Sequence, residues 1–160
     1  MSDVSYDTAQ ICKNGHSINS SFHAYPFFNK NFCDRCGEQT ITRCENCNTE
    51  IRGHLHGSML LSPYEAPQYC ENCGKPFIWT ERRLEAARDY SNEFEELNTE
   101  EKEKLQASIQ DLVKQSPNTP IAQKRFKTIM SKVGTESFEG MKTILTDVLS
   151  EAVKKSIFGP

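Results

Sequence analysis

The sequence predicts an α+β protein. Residues 1–79 read as a metal-organised module of short antiparallel strands, and residues 80–160 as an all-α module of about four helices. Three observations carry this. All seven cysteines and all four histidines of the 160 residues lie at or before position 73. Six cysteines form three Cys-x-x-Cys pairs, and the seventh, Cys12, stands four residues before His16. After Trp79, apolar residues recur at helical spacing between capping signals.

The pairs are Cys33/Cys36, Cys44/Cys47 and Cys70/Cys73. With Cys12 and His16 they give eight soft or borderline donors, enough for two tetrahedral Zn2+ sites per chain with none left over. Each pair has a turn former directly after it: Gly37, Asn48 and Gly74. A residue there commonly takes positive φ, which Gly and Asn tolerate. The β-prone stretches 40–43, 58–61 and 76–79 flank these turns and read as the short strands of zinc ribbons.

In the second half, Thr80 is placed to cap a first helix carrying Leu84, Ala87, Phe94 and Leu97. Asn98 and Thr99 cap a second with an acidic first turn, as the helix dipole favours. Its apolar positions are Leu105, Ile109, Leu112 and Val113. Residues 116–120 form a break. Thr119 caps a third helix with Pro120 at its start, and Gly134 ends it. The fourth starts after Thr135, with Phe138, Met141, Leu145, Val148 and Ala152 stepping by 3, 4, 3, 4. Ile144, Leu149, Val153 and Ile157 widen that stripe as far as Phe158. No Gly/Ser- or Pro-rich linker separates the halves, so they are expected to pack together.

Two pairings of the donors are sensible. Sequentially, Cys12, His16, Cys33 and Cys36 hold one ion, and Cys44, Cys47, Cys70 and Cys73 the other. A cross-braced order would join the first half-site to the third. Cross-braced domains set their middle pairs two or three residues apart, whereas residues 37–43 intervene here, so spacing favours the sequential order. His16 is the preferred eighth ligand because Asn14 and Gly15 supply a tight turn between it and Cys12. His23, His54 and His56 compete, but His54 and His56 lie within a site that already has four cysteines. Closed Cys-rich sites are structural, since catalytic zinc keeps a position open for water. The polar, turn-rich first module buries too little to fold securely alone, and metal binding supplies the difference.

Charge bounds the partners. Residues 1–79 carry six Lys/Arg against eight Asp/Glu, and the whole chain carries −3. Ligation adds −1 at a three-thiolate site and −2 at a four-thiolate site. Neither half is the broad cationic surface that phosphate backbones require. Lys124, Arg125, Lys127 and Lys132 form a local basic patch that reads as a solvated face, with nucleic acid the alternative. Phe22, Tyr25, Phe27, Phe28 and Phe32 form an aromatic run. It is expected to supply mostly core, with one or two rings exposed. No stretch is long and apolar enough for a membrane span. The start lacks the pattern of a signal peptide, so a reducing, cytoplasmic setting is the default.

The ordered set of residues 9–12, Asn14, Gly15 and His16, then Cys33/Cys36-Gly37, Cys44/Cys47, residues 51–53, and residues 69–70 with Cys73-Gly74, Pro76, Phe77 and 79–81 resembles a bacterial family of uncharacterised zinc-ribbon proteins. The tail from Thr119–Pro120 to Lys154–Lys155 resembles its helical C-terminal half. The likeness implies two metal sites and a helical module, and implies no mechanism. The Phe-rich insert between His16 and Cys33 departs from it.

The leading expectation is therefore a binding or adaptor protein with structural zinc, contacting a protein partner or a second copy through its C-terminal helical stripe. A nucleic-acid-binding or defence-associated regulator is the alternative. A metal-dependent enzyme using His54 and His56 is the third, although no nucleophile–base motif accompanies them and no catalytic residue is assigned.

Overall fold

A computed structural model describes residues 5–56 and 63–159. The expected strand at 58–61 lies outside the described residues. As the sequence predicts, short antiparallel strands come first and helices follow. Residues 1–81 and 82–160 each form their own unit.

Among the described residues the first unit holds five strands: β1 (Tyr6–Thr8), β2 (Gln10–Cys12), β3 (Ser17–Asn19), β4 (Thr40–Ile41) and β5 (Arg52–Leu55). The order β3-β2-β4 makes one antiparallel sheet, and β1 pairs with β5 in a second. The β2–β3 hairpin turns through Gly15, whose φ of +92° suits a residue without Cβ. A Cβ there would stand 3.1 Å from that of Trp79, so the turn lies against the indole. Ala9, Ile11, Cys44, Ile51, Cys70, Phe77 and Trp79 form the buried core. Phe77 and Trp79 stack with centroids 4.6 Å apart. Gly53 is fixed by a close approach of backbone: an added Cβ would meet the Ser20 carbonyl oxygen at 2.2 Å.

Residues 76–79 depart from the expected strand. Pro76 makes a single bridge with Tyr69, and α1 (Ile78–Asn92) has already begun by Thr80. Thr80 is not the cap. Its buried hydroxyl instead donates to the Gln68 carbonyl at 2.8 Å. The boundary between the units falls inside α1.

The second unit contains the rest of α1 and α2 (Thr99–Lys114), α3 (Thr119–Met130), α4 (Thr135–Leu145) and α5 (Glu151–Phe158). Asn98 and Glu101 cap α2 reciprocally, each side chain accepting from the other's backbone amide at 2.8 and 3.1 Å. α3 begins at Thr119, the expected cap and one residue before the expected start at Pro120, with Asn118 as the residue before it. Gly134 has φ −71° and precedes α4; it does not terminate α3, which ends at Met130.

The long fourth helix is two. α4 stops at Leu145, and Ser150 starts α5 by accepting the Val153 amide. The change of direction turns Met141, Leu145, Val148, Leu149, Val153 and Ile157 all inward, and each is buried. The stripe's width thus reflects two short helices facing one core. Ala152 is exposed, against the single-helix reading. Phe138 and Phe158 meet edge-on at 5.6 Å, and Phe126 meets Phe158 at 5.8 Å.

Candidate metal centres

Three turns with one hydrogen-bond pattern build the cysteine pairs. In each, the first Cys amide donates to the carbonyl five residues on: Cys33 to Glu38, Cys44 to Thr49 and Cys70 to Lys75. The residue after the second Cys donates back to the carbonyl of the first. That residue is Gly37, Asn48 or Gly74, at φ +76°, +63° and +74°. Amides of Arg35 and Asn72 point at the sulfurs of Cys33 and Cys70 from 3.4 Å.

The turn from Cys12 to His16 is one residue tighter. Cys12 donates to the carbonyl of His16, and Gly15 donates to the carbonyl of Cys12. The second donor therefore sits at the fourth residue, where the pairs have their turn former. The backbone amide of His16 also donates to Cys12 Sγ at 3.3 Å.

These turns bring the donors together in sequential order. Cys12, His16, Cys33 and Cys36 form one group, and Cys44, Cys47, Cys70 and Cys73 the other, with ligand atoms in each within 4.8 Å of one another. In the first, Cys12 Sγ lies 3.7 Å from Cys36 Sγ, and His16 Nδ1 lies 3.4 and 3.5 Å from the sulfurs of Cys12 and Cys33. In the second, Cys44 and Cys73 are 3.8 Å apart, and Cys47 and Cys70 are 3.6 Å apart. Either group can bind a metal ion.

The clusters differ in setting. Cys44 and Cys70 belong to the hydrophobic core, with Cys47 and Cys73 packed against it. In the first cluster, Cys12 and Cys33 are buried but Cys36 is exposed. Burial pushes the thiols of Cys12 and Cys44 up to about 11. The Glu38 amide pulls Cys36 down to about 6, and the Thr49 hydroxyl does the same for Cys47.

The chain belongs to DUF2321. That family is described as an uncharacterized protein conserved in bacteria, and its profile matches residues 5–157. No curated protein and no solved structure matches the chain. The DUF2321 match spans all eight donors and the helices through Ile157.

The competing histidines lie elsewhere. His54 Nδ1 is 2.5 Å from Ser20 Oγ, and its ring meets Tyr64 edge-on at 5.4 Å. The first contact ties Ser20 to β5, and the second ties Tyr64 to it. His56 is exposed, and His23 lies 3.7 Å from Glu50. In the basic patch, Lys124, Arg125 and Lys127 are exposed, whereas Lys132 is paired with Glu101.

The aromatic run corrects the expectation of core. Tyr25, Phe27, Phe28 and Phe32 are 49%, 73%, 56% and 63% exposed, and only Phe22 is half-buried. Three buried polar residues that the sequence did not single out cause this by holding the insert by its backbone. Asp7 accepts from the amides of His23 and Ala24, both at 2.9 Å. Asn19 donates to the Tyr25 carbonyl at 2.9 Å and to Asn29 at 2.7 Å. Gln10 both donates to the Lys30 carbonyl and accepts its amide. Burial would raise the pKa of Asp7, but amides from His23, Ala24 and Thr8 outweigh it and hold the carboxyl below the usual range.

Proposed function

We propose that each cluster holds one structural Zn2+, and that this is a cytoplasmic binding module whose contact surface for a protein partner is the aromatic insert at 25–32. The carrying observation is a fixed backbone bearing exposed rings. An interface gains most from rigid aromatic anchors that lose little freedom on binding.

The donor geometry supports zinc. A Zn–S bond of about 2.3 Å gives a tetrahedral edge of about 3.8 Å, and the sulfurs stand 3.6 to 3.8 Å apart. With Zn–N near 2.0–2.1 Å the S-to-N edge is about 3.6 Å, beside 3.4 and 3.5 Å for His16. Four protein donors leave no position for water, so a bound ion supplies shape and charge. Seven free cysteines fit a reducing compartment, and no described helix is long and apolar enough to cross a membrane.

The helical stripe, buried as it is, gives less support to a partner or a second copy than the insert does. Charge favours protein over nucleic acid, because six Lys/Arg face eight Asp/Glu in residues 1–79 before thiolates add to the negative side. The test is a paired measurement. The purified chain should contain two zinc ions. A Phe27→Ser/Phe28→Ser variant should keep both ions and its circular dichroism while losing a partner that co-purifies stoichiometrically from the native cell. A partner retained by this variant refutes the surface, and fewer than two ions refutes the metal assignment.

A further inference from the structure

A second feature of the first unit has a different chemistry. A cleft of about 270 Å³ opens beside the second cluster, with Cys70 in its wall. Tyr64, Tyr69 and Phe77 supply rings, and Glu50, Glu65 and Glu71 supply carboxylates from three separate segments. Arg52 is the one cation among the described lining residues, so these side chains give the cleft −2.

The existing pairs account for much of this charge and leave one part open. Arg52 is held by Glu71 at 2.7 Å, with its guanidinium over the Tyr6 ring at 4.3 Å. Glu50 faces Arg43 and His23 from outside the lining, at 3.2 and 3.7 Å. Glu65 is exposed and has no ion pair among the described residues. Tyr64 donates its hydroxyl to the Arg52 carbonyl at 2.5 Å, so that group is occupied and the ring face is what remains. Burial pushes the phenol of Tyr64 up, which keeps it neutral. Aromatic faces beside an unpaired carboxylate attract a cation with an apolar stem and disfavour anions. The Arg52 guanidinium, held between Glu71 and Tyr6, already shows this style of contact at the cleft's edge. The volume lies just below the roughly 300 Å³ at which sites for drug-sized ligands begin, and so suits a single side-chain-sized group.

We propose that this cleft is a binding site for an alkylammonium or guanidinium group, with Glu65 as its counter-ion and Tyr64, Tyr69 and Phe77 as its walls. The source is either a Lys or Arg side chain of a polypeptide or a free small amine. The carboxylates alone set the sign, and a filled thiolate cluster only deepens it. The proposal therefore stands apart from the aromatic insert.

The zinc-loaded full chain is titrated with capped lysine, capped arginine, capped norleucine and butylammonium, following amide NMR shifts of residues 64–77. The cationic probes should move these amides and norleucine should not. Glu65→Gln, at an exposed position, should keep two zinc ions and weaken binding about fivefold, as losing up to ~1 kcal/mol of an exposed ion pair implies. The Phe27→Ser/Phe28→Ser variant should bind the probes as wild type does, which separates this site from the insert. Tighter binding of capped lysine or arginine than of butylammonium identifies a polypeptide side chain, and the reverse identifies a free amine. Norleucine acting like lysine, cationic probes leaving the amides unmoved, or Glu65→Gln binding unchanged each overturns the site.

Discussion

Two cysteines, a tryptophan and a handful of apolar residues make the core of the first unit. The second is filled by Leu105, Ile109, Leu112, Phe126, Met130, Met141 and Leu145, each at or below 2% exposure. One unit closes around donor atoms and buried hydrogen bonds, the other around aliphatic and aromatic volume. With zinc in both clusters as proposed, order in the first depends on a bound ion and its thiolates, whereas order in the second follows from burial alone.

The largest test of this contrast is metal removal. Zinc of the proposed kind contributes about 10–16 kcal/mol per site. A strong chelator should therefore abolish the near-UV signal of Trp79 while most far-UV helical signal from residues 99–158 persists. Loss of both signals together would show that the units do not differ in this way.

Phe126→Ala should show the converse. Phe126 is fully buried in the second unit, and truncating such a side chain costs about 3–5 kcal/mol. Helical signal should melt earlier, with two zinc ions still bound when measured by elemental analysis. Zinc loss in this variant would break the comparison.

A smaller effect probes the hydrogen bonds under the insert. Asp7→Asn exchanges a charged acceptor for a neutral amide facing the same donors, at about 1–3 kcal/mol. The folded carboxyl titrates below its ordinary 3.8. Its contribution is therefore present above that value and lost as pH falls through the folded pKa. The difference in urea midpoint between wild type and variant should hold steady from neutral pH down to about 3.8 and shrink below it. A difference that grows on acidification would contradict the sign.

Legibility followed the same division. Donors and turns were readable because their chemistry is local: a Cys-x-x-Cys turn needs a tolerant residue next, and Gly37, Asn48 and Gly74 all take positive φ. The sequential grouping followed from spacing. The aromatic run was misread because its position is decided by Asp7, Gln10 and Asn19, whose partners within the insert lie up to twenty residues away. No periodicity announces a buried polar side chain that grips a distant backbone. The fourth helix was misread for the opposite reason. Its apolar spacing runs on without interruption from Leu145 to Val148, and the break depends on one hydroxyl at Ser150 capping Val153. Thr80 looked like a cap by residue type, but its hydroxyl was taken by Gln68.

The grip of Asp7, Asn19 and Gln10 on main-chain atoms has a consequence for how this chain can change. Apart from the Asn29 side chain, stability along 23–30 rests on carbonyls, which every residue has, and on amides, which only proline lacks. The rings at 25, 27 and 28 can therefore be exchanged with little penalty to folding, so the surface they present can change while the framework stays as it is.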